Sequence, residues 1–139
     1  MGVRENKVEK YLNKQITVLG GLTRKWVSPG RDGVPDRICI VKGRFFLVEV
    51  KTVDGECSPV QLREHVRLRD AGADVCVVYG EQGVDELIDE IKSSEFMKGK
   101  GIKSYHLYGK YRPTAKEVKH LRDISGNGLN ICKSVLIRL

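Results

Sequence analysis

The stretch from Arg37 to Lys51 limits the fold more than any other part of the chain. Arg37 to Val41 is β-branched and apolar, Lys42-Gly43 suits a tight turn, and Arg44 to Lys51 reads as the returning strand. Side chains alternate across a strand. Phe45, Leu47, Glu49 and Lys51 therefore share one face, and Phe46, Val48 and Val50 share the other.

Helical patterns surround this hairpin. Val8, Leu12 and Ile16 recur at the spacing of one helical face, which predicts a first helix over 4–19, ended by Gly20-Gly21. From there to Gly33 the chain reads as a loop, with turn signals at Ser28-Pro29-Gly30 and Asp32-Gly33. Ser58 as a cap and Pro59 in the first turn predict a helix that runs to about Asp70 and stops near Gly72. Val75 to Tyr79 has the composition of a buried strand, and 84–94 is amphipathic on Leu87 and Ile91. The order α-β-β-α-β-α predicts an α/β fold with a mixed sheet flanked by helices.

The last third is less regular. Lys98 to Lys103 reads as a linker and Ser104 to Tyr108 as a short strand. The capping-box pattern Thr114-Ala115-Lys116-Glu117 opens a helix to about Ile124, and Gly126-Asn127-Gly128 is a turn. Leu129 to Leu139 fits a helix or a strand. Two units are expected: a core over 1–95 and a basic C-terminal extension over 96–139.

Charge separates these units sharply. Residues 1–91 hold 14 Lys and Arg against 15 Asp and Glu, whereas residues 92–139 hold 11 against 3. A basic segment beside a nearly neutral body suits a polyanion such as nucleic acid, or is a solvated surface. No apolar run approaches the roughly 18 residues of a membrane span. The charged start Met1 to Lys7 does not resemble a secretory signal. The cysteines at 39, 57, 76 and 132 form no zinc-type spacing. Cys39 and Cys76 lie in apolar runs and read as core residues of a reducing compartment.

The hairpin also carries the parts that phosphodiester hydrolysis needs: carboxylates for a hard divalent cation and a cationic group near the attacking oxygen. Asp36 follows Pro35 at the start of the first strand, and twelve residues separate it from Glu49. That is enough for a strand, a turn and a return, so pairing would bring Asp36 near Glu49 and Lys51. Glu-Val-Lys alone is an ordinary alternating surface strand.

The wider pattern is specific. Leu19-Gly20-Gly21, Lys25, Gly33-Val34-Pro35-Asp36-Arg37, Phe46 to Lys51, Ser58-Pro59-Val60-Gln61, His65, Leu68 and Gly72 resemble the VRR-NUC branch of the PD-(D/E)xK nuclease superfamily over roughly residues 4–80. The resemblance implies a restriction-endonuclease-like core that cuts DNA with Mg2+, or with Mn2+ in its place. It makes Asp36, Glu49 and the backbone carbonyl of Val50 metal ligands. Lys51 would contact the attacking water or the scissile phosphate, and Gln61 would help position either. The family's first-helix glutamate falls on Glu5 or Glu9, with Glu5 fitting the offset better. His65 shares a helical face with Gln61 and is either a structural histidine or a base. Lys25 and Arg37 are candidate phosphate contacts, and Trp26 either stacks on a base or packs on the first helix. The extension is either a helix-turn-helix for DNA, in which case Lys110, Arg112, Lys116, Lys119 and Arg122 would meet phosphates, or an extra layer that completes the core or a dimer interface.

Short stand-alone members of the branch resemble Holliday-junction resolvases, which implies a homodimer acting on branched DNA in the cytoplasm of a bacterium or phage-infected host. A monomeric flap or nicking nuclease and a non-catalytic DNA-binding module are the alternatives.

Overall fold

The computed structural model describes residues 2–93, 104–109 and 130–131. In chain order its elements are α1 (Val3–Val18), β1 (Leu22–Lys25), β2 (Arg37–Val41), β3 (Arg44–Lys51), α2 (Pro59–Asp70), β4 (Val75–Tyr79), α3 (Gly80–Lys92), β5 (Ser104–Tyr108) and β6 (Asn130–Ile131). The strands form one sheet in the order β1-β2-β3-β4-β5-β6. The β1–β2 and β2–β3 pairs are antiparallel, and β3, β4, β5 and β6 run parallel. The sheet is therefore mixed, as the element order predicts, and β5 and β6 of the 96–139 segment continue it.

The sheet's two faces are covered differently. Val8, Leu12 and Ile16 of α1 and Leu87, Ile88 and Ile91 of α3 form one core cluster with Phe46, Val48, Val50 and Val78. α2 lies on the other face, where its side chains reach Glu49. Alternation along β3 thus sends its apolar set to α1 and α3, and Glu49 and Lys51 to α2. Cys39 and Cys76 are buried and in no disulfide among the described residues, and burial pushes the Cys39 thiol up to about 12. Cys132 lies outside the described residues.

Three differences from the sequence-based expectation have local causes. β1 lies in a stretch read as loop. Its residues Leu-Thr-Arg-Lys are mostly exposed, and pairing with β2, rather than a buried face, defines the strand. α3 begins at Gly80, ahead of the expected start near 84. Gly83 lies in its first turn, where a Cβ would stand 2.6 Å from the Tyr108 carbonyl oxygen, so close packing on β5 requires glycine. The open choice at 129–139 includes a strand at Asn130–Ile131. The expected helix at 114–124 lies outside the described residues.

Candidate active site

Register builds the centre of the site. β2 pairs with β3 as Arg37 opposite Val48 and Ile38 opposite Leu47. Extending that register by one residue sets Asp36 opposite Glu49, on the α2 face. Asp36 Oδ2 accepts the Val50 backbone N–H at 2.8 Å, which fixes its carboxyl against the strand. The approach to Asp36 is fixed as well. Gly33 has φ +87°, and a Cβ on it would stand 2.7 Å from the Val60 carbonyl oxygen, so the incoming loop lies tightly on the start of α2.

α2 supplies the opposite wall. Ser58 caps it in a complete capping box: its hydroxyl accepts the Gln61 N–H at 3.2 Å, and its own N–H donates to Gln61 Oε1 at 2.8 Å. With its oxygen held, the Gln61 amide turns its nitrogen to Glu49 Oε1 at 3.4 Å. One turn on, His65 Nε2 lies 3.3 Å from Glu49 Oε2. Glu49 is 2% exposed and His65 fully buried.

These neighbours set the electrostatics. Burial, then a hydrogen bond and charge repulsion from Glu49, push the Asp36 pKa up to about 7. Burial also raises Glu49, with smaller upward pushes from Glu5 and Glu9. Burial and mutual repulsion thus hold both carboxyls above the usual carboxylate range. Burial and the charge of Lys51 lower His65 to about 4, so the imidazole is neutral near pH 7. Lys51 is buried to 9% exposure; its side chain makes no direct hydrogen bond or ion pair among the described residues, and its charge draws Asp36 and Glu49 down.

The structure separates the two first-helix glutamates. Glu9 pairs with Arg37 Nη1 at 3.1 Å. Glu5 is half-buried and has no hydrogen-bond or ion-pair partner among the described residues. Arg37 sits opposite Val48, on the α1 face of the sheet, and also donates to Thr23 at 2.9 Å. Its guanidinium is thus engaged within the fold, on the face turned away from Glu49. Lys25 is exposed on β1, Trp26 continues the β1 ladder by donating its N–H to the Asp36 carbonyl oxygen, and Lys116, Lys119 and Arg122 lie outside the described residues.

The structure sets Asp36, Gln61 and Lys51 around Glu49, whereas the Glu9–Arg37 pair and the direct contact of His65 with Glu49 are not read from the sequence. The i, i+4 spacing of Gln61 and His65 is the signal that points to the latter.

Among the described residues no three His, Cys, Asp or Glu side chains converge as a metal cluster. The acidic centre is a pair, and a pair suits Mg2+, which takes one or two carboxylates and keeps several waters. The Asp36–Glu49 repulsion in a desolvated place is what a divalent cation would relieve. A pH test follows. The folded pKa of Asp36 lies above its ordinary 3.8, so its contribution to stability is complete below 3.8 and lost as pH rises through about 7. Cation-free protein should therefore gain less from Mg2+ at pH 5.5 than at pH 8, measured as the shift in melting temperature. An equal shift at both pH values would contradict the pairing.

No family model matches the chain. A curated phage protein, "Putative nuclease p44" of Acyrthosiphon pisum secondary endosymbiont phage 1, is 43% identical over 77 residues, which is 55% of this chain and 83% of that protein. A solved structure described as a VRR-NUC domain is 40% identical with a TM-score of 0.58, across 63% of this chain and 97% of its own. The mixed sheet and flanking helices agree with that likeness, and the chain belongs to the VRR-NUC family, with its restriction-endonuclease-like α/β fold.

Proposed function

We propose that this VRR-NUC protein is a metal-dependent endodeoxyribonuclease that hydrolyses phosphodiester bonds at Asp36, Glu49, Lys51 and Gln61. The observation that carries this reading is the desolvated Asp36–Glu49 pair beside an unpaired lysine on the same face of β3. Asp36, Glu49 and the Val50 carbonyl would hold Mg2+ or Mn2+, with Glu5 as the first-helix carboxylate, since Glu9 is taken by Arg37. When bound, the cation supplies Lewis acidity toward a phosphoryl oxygen and lowers the pKa of a water. Lys51 holds the attacking water or the scissile phosphate and offsets the negative charge that develops there. Gln61 presents its amide nitrogen to the site, because its oxygen is bonded to Ser58. It is therefore a donor to Glu49 and to an incoming oxygen.

The finer reading is a homodimer that cuts branched DNA, with two sites on two opposed strands of a four-way junction. A feature at the open sheet edge supports it. Leu22, Ile40 and Phe45 are register partners on three adjacent strands, and they are 54%, 42% and 57% exposed. Such an apolar stripe beside β1, the edge strand among the described residues, gives a second copy a surface. The test is cleavage of junction, flap and linear duplex DNA in Mg2+, in Mn2+ and in chelator, with mass by light scattering. Cation-dependent junction cutting by a dimer is expected. Flap cutting by a monomer removes the dimer reading, and no cutting of any substrate removes the enzyme.

Affinity is expected to come largely from the basic last third, where 11 basic residues face 3 acidic ones. Neutralising Lys116, Lys119 and Arg122 together should weaken binding to all DNA sequences alike and reduce the salt slope of log K by roughly 0.9 per lost contact. Titration of junction DNA at several salt concentrations measures this, and an unchanged slope would assign the segment to dimerisation or the core instead.

A further inference from the structure

We infer that His65 is a positioning residue for Glu49: together with Gln61, one helical turn earlier, it holds both oxygens of the Glu49 carboxylate in one orientation. The inference rests on the metal-site reading above and extends it to a residue outside the ligand set.

The geometry is two-sided. Gln61 Nε2 lies 3.4 Å from Oε1 of Glu49, and His65 Nε2 lies 3.3 Å from Oε2. Both side chains stand on α2 at the i, i+4 spacing that puts them one above the other, and the two-sided hold requires the Nε2–H tautomer of His65. A glutamate's last torsion joins an sp3 and an sp2 carbon and is broad, so one hydrogen bond leaves the carboxylate plane free to turn. A second donor on the other oxygen fixes the plane. Each carboxylate oxygen has two lone-pair positions. An N–H on one of them leaves the other directed away from α2, available to a cation.

The Gln61 half of this clamp is itself anchored. Its oxygen accepts the Ser58 N–H, which decides which end of the amide meets Glu49. His65 is fully buried, so no water competes for its ring edge. Asp36 is held in parallel fashion by the Val50 N–H. Each acidic partner thus has its own fixed donor, and that of Glu49 comes from the helix rather than the strand. Partners of this kind orient metal-binding side chains, and their removal costs about 10- to 100-fold in metal affinity or activity.

Two variants separate positioning from packing. His65→Met fills similar space without an N–H, whereas His65→Gln carries an amide nitrogen at nearly the reach of Nε2. Mn2+ binding by calorimetry should weaken about 10- to 100-fold in His65→Met and return close to the wild-type value in His65→Gln. In the intact wild-type protein, the imidazole 15N spectrum should show the Nε2–H tautomer, and its signal should move when Mg2+ is added. Wild-type Mn2+ affinity in His65→Met, even with a lower melting temperature, would overturn the inference and leave a packing role. So would equal weakening in both variants, or an Nδ1–H tautomer. Should His65→Met fail to fold, the wild-type spectrum with and without Mg2+ decides the matter. Wild-type protein that takes up no Mn2+ instead sinks the metal-site reading itself, and the inference with it.

Discussion

Glu49→Gln is expected to lower Mg2+-dependent cleavage by more than about 100-fold, since even residues that merely orient a ligand cost 10- to 100-fold when lost. The folded state should not suffer. Glu49 is 2% exposed, and burial penalises its charge. Glutamine has the same shape, and its oxygen still accepts from Gln61. Its amide nitrogen would face the His65 ring, which is neutral and can change tautomer to accept. Without divalent ions the variant should therefore melt at or above the wild-type temperature. Added Mg2+ should raise the wild-type melting point but not the variant's, because a ligand stabilises only the state that binds it. Asp36→Asn should behave alike. A folded Glu49→Gln protein that cuts at the wild-type rate in Mg2+ would remove Glu49 from the site.

The second large effect is expected at Lys51. Lys51→Ala should reduce the cleavage rate by about 100-fold, the scale of losing one group aimed at developing charge. DNA affinity should change little, since one phosphate contact is a small part of a multi-contact electrostatic interface. The position of Lys51 supports that split. Its side chain is 9% exposed at the end of β3, with no protein counter-charge bonded to it among the described residues. A surface phosphate contact would stand further into solvent. Single-turnover rates at saturating enzyme, measured beside equilibrium binding in Ca2+, distinguish the cases. Equal losses in rate and affinity would make Lys51 a binding residue.

The hairpin was legible because its information is local. Alternation in β3 and a two-residue turn determine which residues share a face and bring Asp36 near Glu49 and Lys51, while the wider motif resemblance is what marks them as a site. Ser58, Pro59 and Gln61 were legible for the same reason, as a helix start written within four residues. What escaped the sequence depends on partners distant along the chain. β1 has one apolar residue in four and exists as a strand through β2. Arg37 reads as a phosphate contact until the fold brings Glu9, 28 residues earlier, against its guanidinium. The helix start at Gly80 likewise depends on a distant partner, because Gly83 packs on the Tyr108 carbonyl. In each case the residue's own chemistry is ambiguous, and a tertiary neighbour decides between its uses.

The first turn of α2 has a consequence for which amino acids position 61 can accept. A helix that opens on serine takes glutamate three residues later as readily as glutamine, because either side chain offers an oxygen to the serine N–H. Secondary structure alone would leave the choice open. Glutamate at 61, however, would keep the helix start while setting another negative charge against Glu49, where the glutamine nitrogen now donates. Of these two residues, glutamine alone offers an oxygen to the backbone and an N–H to the carboxylate at once. The amide at 61 is thus selected by the site, at a position where the helix is indifferent.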